Sequence, residues 1–322
     1  MEPITFEIAP GLTAIDTFYA GRERCTAAYL LAADEPAIVE TGPTTSAGPV
    51  VAGLERLGIG RNDLAHIVVT HIHLDHAGGV GRLAAVFPNA TIWVHERGAP
   101  HLADPRKLVA SAGRVYGEQQ MAVLFGPVAP VPAERLRALG GDDRIELGGR
   151  ALEVFATPGH ASHHVALADT RTGAVFTGDA LGIHVPDVRA LRPATPPPDF
   201  DLDLTVESIE RIRARARSGL VLFSHFGPVT EVERICDLAV QRTRAWAEVV
   251  GSALRRTDDL EEIVGFLETE ARRDVETGSE APLDLERFET LSSIRMNALG
   301  IIRYWKKRAE REATAGGAQP GS

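Results

Sequence analysis

The residues best suited to chemistry lie between Thr70 and Gly79, in the run T-H-I-H-L-D-H-A-G-G. An apolar run, Ile67, Val68 and Val69, leads into it, and Gly78 and Gly79 lead out towards residues 80–87, which have helical spacing. His71 and His73 stand two apart on a tight loop at the end of a predicted strand, so both imidazoles can face one ion, as nitrogen-ligated zinc-type sites require. Asp75 and His76 are adjacent, point in different directions, and can serve a second ion a few ångströms away.

Three isolated residues share that setting. His160 ends T-P-G-H, Asp179 ends T-G-D and His225 lies in S-H-F-G, each just after a predicted strand. Gly159 and Gly178 permit the sharp backbone turns that bring a side chain to a strand end. A two-metal hydrolase needs two ions about 3.5–4 Å apart, a bridging carboxylate and a bridging water of lowered pKa. Seven nitrogen and oxygen ligands meet that demand: His71, His73 and His160 for one ion, Asp75, His76 and His225 for the other, and Asp179 as the bridge. The bridging hydroxide is then the expected nucleophile, with Asp75 receiving a proton. Two divalent ions are expected, zinc first, while iron or manganese also suits imidazole and carboxylate donors.

The H-x-H-x-D-H at His71 to His76, with T-P-G-H, T-G-D and S-H-F-G following in order, resembles the metallo-β-lactamase-fold hydrolase superfamily. It is closer to the branch of glyoxalase II, lactonases and thioesterases than to the true lactamases, which lack the aspartate before the third histidine. The resemblance spans Ile4 to about Pro228 and implies an α+β fold, an αββα two-sheet sandwich, here with a C-terminal helical extension. It departs at Glu40, where the superfamily usually has Asp in a D-T-G turn; that carboxylate is expected to support the metal loop from behind. It also implies that His164 braces the loop rather than binding metal.

The elements that must position these residues are legible in outline. Short runs at Ile4–Ile8, Leu12–Thr17, Thr26–Leu31 and Ala37–Glu40 predict antiparallel strands, and Ala47–Leu57 a helix. Strands are predicted again at Thr91–His95, Arg144–Leu147, Leu152–Ala156, His164–Ala168, Ala174–Thr177 and Leu220–Phe223, with a helix from Asp203 to about Arg217. Between them, residues 98–139 form a long insertion with a helix from Pro105 to about Phe125, a candidate lid or pocket wall. This gives a domain over residues 1–228, and a helical extension over 229–312 with predicted helices at Val232–Leu254, Leu260–Arg273 and Leu285–Glu312. The last of these has Phe288, Leu291, Ile294, Leu299, Ile302 and Trp305 on one broad face. The extension is expected to cap the site, to mediate homodimerisation, or both; residues 313–322, small and polar, are expected to be a disordered tail.

The bulk properties narrow the partners. With 322 residues, 44% hydrophobic, the chain can bury a large core. A net charge of −10 argues against a nucleic-acid partner. Cys25 and Cys236 lie far apart and outside any thiolate-zinc spacing, which favours a reducing cytoplasm. The start M-E-P-I-T-F-E-I-A-P-G has neither a basic region nor an apolar core, and no run approaches a membrane span, so neither secretion nor membrane insertion is expected.

The reaction read from these residues is hydrolysis of an ester-type bond. No strong general acid is visible, which favours thioesters, lactones and activated esters or phosphotriesters over unstrained amides. His184, five residues after Asp179, is the candidate for substrate contact or proton donation. Phe125, Met121, Ile183, Val185 and the stretch Arg192–Phe200 are expected to wall a pocket for a small-molecule substrate with an apolar acyl part. His66, His95 and His101 read as surface or core residues, and the arginine-rich run 211–217 as a solvated helix face. The rival readings are a mononuclear iron persulfide dioxygenase, in which two His and the Asp bind one iron, and a metal-retaining binding or regulatory protein.

Overall fold

The computed structural model describes residues 2–185, 190–276 and 285–316. The chain opens with β1 (Thr5–Ala9), β2 (Leu12–Asp16), β3 (Ala27–Leu31) and β4 (Ala37–Val39), each antiparallel to the one before. After helix α1 (Ala47–Arg56), β5 (His66–Val68) pairs parallel to β4. A one-turn helix α2 (Leu74–Ala77) and α3 (Val80–Val86) lead to β6 (Thr91–His95), parallel to β5.

The insertion then differs from its expected form at both ends. It contains α4 (Ala99–Ala103) and α5 (Arg106–Gln120), followed by a π-helical turn over Met121–Phe125. Gly117, with φ +76, interrupts the predicted continuous helix, a backbone region that glycine enters without steric cost. The insertion ends in β7 (Leu136–Leu139), which adds to β6 in parallel and completes a seven-stranded sheet.

The second sheet follows: β8 (Arg144–Glu146), β9 (Ala151–Ala156), β10 (Val165–Asp169) and β11 (Val175–Gly178). A small hairpin of β12 (Ile183–Val185) and β13 (Ala190–Arg192) and helix α6 (Leu202–Arg215) intervene before β14 (Val221–Phe223) and β15 (Gly227–Val229). The sheet order is β15-β14-β11-β10-β9-β8, with β11 and β14 parallel and the other pairs antiparallel.

Strand periodicity explains the layers. Tyr29, Val39 and Val68 pack in one apolar cluster with Leu152, Val154, Leu167 and Phe176 of the other sheet. Leu30, Ile38 and Ile67, one residue away, face instead a cluster with Val50, Leu54, Val80 and Leu83 of α1 and α3. Ala166, Val175 and Phe223 likewise meet Ile209 and Ile212 of α6. Successive side chains leave a strand on opposite faces, so two sheets apolar on both sides make the αββα sandwich expected from the sequence.

The extension consists of α7 (Val232–Leu254), α8 (Leu260–Glu276), α9 (Leu285–Leu291) and α10 (Ile294–Gly316). The predicted helix from Leu285 breaks at Ser292 and Ser293, where the Glu289 carboxylate accepts the Ile294 N–H at 3.2 Å. The buried face of α10 is Ile294, Ala298, Ile301 and Tyr304, packed on Trp246, Val250 and Leu267. Leu299, assigned to that face from the sequence, is exposed, because five residues from Ile294 turn it well away from the 3.6-residue stripe. Helix α10 also runs past the predicted start of the tail at 313, and residues 317–322 lie outside the described residues. Among the described residues, no helix is long and apolar enough to cross a membrane.

Candidate metal centre

Topology brings the seven candidate ligands to one place. Because β9 and β11 are both antiparallel to β10, and β14 is parallel to β11, these three strands run the same way. His160, Asp179 and His225 follow their C-terminal ends, while His71 and His73 follow β5 of the other sheet, with Asp75 and His76 on α2. Thr70 O accepts the Val165 N–H at 2.9 Å, stitching the two sheets together beside the site.

His71, His73 and His160 converge: His73 Nδ1 lies 3.0 Å from His71 Nε2 and 2.8 Å from His160 Nε2. The outer nitrogens are held from behind, His160 donating through Nδ1 to Ala194 O at 3.0 Å and His71 Nδ1 facing Thr70 Oγ1 at 3.0 Å. Asp75, His76 and His225 form a second group, with Asp75 Oδ2 at 3.6 Å from His76 Nε2 and 3.5 Å from His225 Nε2. Asp179 lies between the groups. Its Oδ1 is 3.2 Å from His76 Nε2 and 3.4 Å from His225 Nε2, while its Oδ2 is 3.5 Å from His160 Nε2.

Metal ions fit this arrangement. The Nε2 atoms of His76 and His225 and Oδ1 of Asp179 are buried, face one another, and have no hydrogen-bond partner, a state that costs free energy unless a cation completes it. Electrostatics agree. Burial, with the neighbouring imidazoles, holds His71 well below its ordinary pKa and His73 down to about 3, so both rings are neutral and offer lone pairs. Burial opposes ionisation of Asp75, yet His76 and His225 outweigh it and hold its carboxyl at about 2. The same competition leaves Asp179 well below the carboxylate range and, through Asp179, Asp75 and Glu40, His76 well above the histidine range.

The supporting residues are equally specific. Glu40 sits at φ +69, a conformation that costs a non-glycine residue on the order of 1–3 kcal/mol. There its Oε1 accepts the Thr70 N–H at 3.2 Å and the Ser224 hydroxyl at 3.3 Å, while Oε2 faces His76 Nδ1 at 3.4 Å. His164 faces Thr157 Oγ1 at 2.7 Å and accepts the Asp179 N–H at Nε2. Gly178, at φ +51, leaves no room for a Cβ, which would sit 2.3 Å from that same Nε2.

A cavity of about 410 Å³ opens on this centre and reaches His73, Asp75 and His160. Of the expected walls, Phe125, Ala194 and Pro196–Asp199 line it, together with Leu291, Met296 and Asn297 of the C-terminal extension. Met121, Ile183 and Val185 do not; they pack behind it with Tyr19, Leu124 and Phe288. His184 likewise lies outside the described lining. Strand alternation that buries Ile183 and Val185 turns His184 the other way, its ring 5.1 Å from that of Phe223 and Nδ1 3.5 Å from Phe226 O, outside the cavity lining. Sequence reasoning missed Arg97, His101, Lys107, Tyr116 and His163 as lining residues. The positions 107/108, 111/112 and 115/116 recur at i+4 and mark a slanted stripe of the helix, a signal available in the sequence without its orientation.

Comparison with known proteins agrees with this geometry. A profile of the metallo-beta-lactamase superfamily matches residues 21–225. The chain is 32% identical over 171 residues to the metallo-beta-lactamase fold-containing protein ST1585 of Sulfurisphaera tokodaii, covering 52% of this chain and 62% of that protein. It is 34% identical over 151 residues to a hydroxyacylglutathione hydrolase of Chromohalobacter salexigens, covering 47% and 44% respectively. The chain thus spans about half the length of the curated relatives it matches. The crystal structure of ST1585 superposes with a TM-score of 0.66 at 22% identity, covering 91% of this chain and 98% of that one. The metallo-beta-lactamase family protein TTHA1429 from Thermus thermophilus gives 0.65 at 21% identity, covering 94% and 95%. With the profile matching more than half of the chain and the same sandwich in its structural neighbours, the chain belongs to the metallo-beta-lactamase superfamily.

Proposed function

We propose that this chain is a dinuclear metal-dependent hydrolase of ester-type bonds, with thioesters ahead of lactones and activated esters. The observation that carries the reading is Asp179, whose two carboxylate oxygens face two different groups of histidines. His71, His73 and His160 would hold one ion and Asp75, His76 and His225 the other, shared through Asp179. Zinc is the expected metal, and iron or manganese suits the same donors. Two such ions, when bound, supply Lewis acidity towards the scissile carbonyl and a nucleophile generated from water.

The chain's own residues do the rest. Glu40 and His164 hold the loop and Asp179 in place, and burial favours the neutral rings of His71, His73 and His160. Asp75, a carboxylate that both belongs to the ligand set and lines the cavity, is assigned the movement of a proton at the reacting centre. Leu74, Leu108, Ala112, Val115 and Phe125 provide an apolar wall suited to the acyl part of a small-molecule substrate. The relatives named hydroxyacylglutathione hydrolases support thioester hydrolysis as the reaction class.

The test is metal content per chain in protein purified without added metal, together with hydrolysis of thioesters, lactones and phosphotriesters. Two ions per chain and loss of hydrolysis in His76→Ala are expected. One iron per chain, oxygen uptake with a persulfide and indifference to His76→Ala would replace the hydrolase by a dioxygenase.

A further inference from the structure

Helix α5 presents Lys107, Leu108, Ser111, Ala112, Val115 and Tyr116 to the cavity. Steps of four residues drift by about 40° around a helix of 3.6 residues per turn, so these positions form a slanted stripe along the cavity wall. Tyr116 marks the metal end: burial raises its phenol pKa, and the charges of Asp75 and Asp179 raise it further. Lys107 is nine residues earlier, about 13 Å along the helix axis at 1.5 Å per residue. Arg97, just before α4, lines the same cavity.

Lys107 and Arg97 are exposed, and neither enters an ion pair among the described residues. The acidic residues of the lining are otherwise engaged. Asp75 belongs to the ligand set, and Asp199 accepts both the N–H and the hydroxyl of Ser162. A chain of net charge −10 therefore places two cations without an ion pair among the described residues in one cavity, and the wall from Lys107 to Tyr116 carries Leu108, Ala112 and Val115 beside Ser111.

We infer that the substrate carries an anionic group, separated from the scissile bond by an apolar spacer, which Lys107 and Arg97 recognise. The inference rests on the hydrolase reading for the position of the scissile bond. The geometry selects a carboxylate or phosphate at the far end of a medium-length chain, on either the acyl or the thiol side.

The test compares three thioesters: octanoic acid with N-acetylcysteamine, which is neutral; octanedioic acid with N-acetylcysteamine; and octanoic acid with mercaptohexanoic acid. The expected result is a kcat/KM about fivefold to tenfold higher for one charged thioester than for the neutral one, the size of two partly screened ion pairs. Whichever charged compound gains identifies the side of the substrate that bears the anion. The advantage should fall with added salt and disappear in the Arg97→Gln/Lys107→Gln double variant. Equal kcat/KM for all three, or an advantage that survives in the double variant, overturns the inference.

A binding measurement separates it from the hydrolase reading. Calorimetry with octanedioate and octanoate needs no turnover. If no thioester is hydrolysed but octanedioate binds at least fivefold more tightly, with that gain lost in the double variant, the subsite stands and the hydrolase reading falls. If neither turnover nor binding distinguishes the ligands that carry the additional carboxylate from those that lack it, the subsite falls as well.

Discussion

His164 Nε2 accepts the backbone N–H of Asp179 at 3.0 Å, so a histidine outside the ligand set fixes the carboxylate that both groups of ligands share. Removing it leaves all seven candidate ligands in the sequence but frees the turn that aims Asp179. On the proposed two-ion reading, His164→Ala should weaken binding of both ions by about 10–100-fold, the usual effect of losing a group that orients a ligand. Chelator competition followed by metal analysis measures this, and unchanged affinity would refute the positioning role.

Glu40 faces one group directly and reaches the other only through Thr70. Its Oε2 faces His76 Nδ1, whereas among the described residues no hydrogen bond or ion pair joins it to His71, His73 or His160. Glu40→Gln keeps an acceptor for the Thr70 N–H but removes the charge behind His76. It should weaken the ion at Asp75, His76 and His225 by about tenfold and the other much less. Stepwise metal removal separates the two; equal loss of both ions would contradict it.

The C-terminal extension reaches the metal centre through Asn297. Asn297 Oδ1 accepts the Thr195 N–H at 2.6 Å and the Thr195 hydroxyl at 2.8 Å, next to Ala194, whose carbonyl holds His160. Asn297→Ala strands the buried Thr195 N–H, a loss of about 1–3 kcal/mol. The melting temperature should fall and the affinity of the His71, His73 and His160 group should weaken with it. A lower melting temperature with unchanged metal affinity would show that the extension stabilises the fold without positioning His160.

Away from the site, Arg150 and Asp169 make a buried bidentate pair at 2.7 and 2.8 Å, and Arg150 also donates to Gly11 O and Ala32 O of the other sheet. Burial opposes ionisation of Asp169, but the Arg150 hydrogen bonds prevail and its pKa lies below the ordinary 3.8. A depressed folded pKa gives stability that is complete above the unfolded value and lost as pH falls through the folded one. Asp169→Asn should therefore be less stable by about 3–5 kcal/mol at neutral pH, since it leaves a buried guanidinium unpaired. The gap to the native chain should narrow below pH 3.8. Denaturant unfolding across that range tests both statements.

The sequence by itself determined the candidate donor set and the order of strands and helices. Three histidines and an aspartate at fixed offsets, and His160, Asp179 and His225 at glycine turns after strands, are local features, because the residue types and the strand period are written in consecutive positions. The succession of strands, helix, strands and helix pointed to the two-sheet sandwich that the resemblance also implied. Tertiary structure decided what each face opposes. Nothing local shows that β7 joins the first sheet, that Leu299 turns outward, or that His184 stacks near Phe223 rather than facing the cavity. Nor does the period of α5 show that its Lys107-to-Tyr116 face lines the cavity, since periodicity groups residues on a face and leaves its partner to packing across the chain.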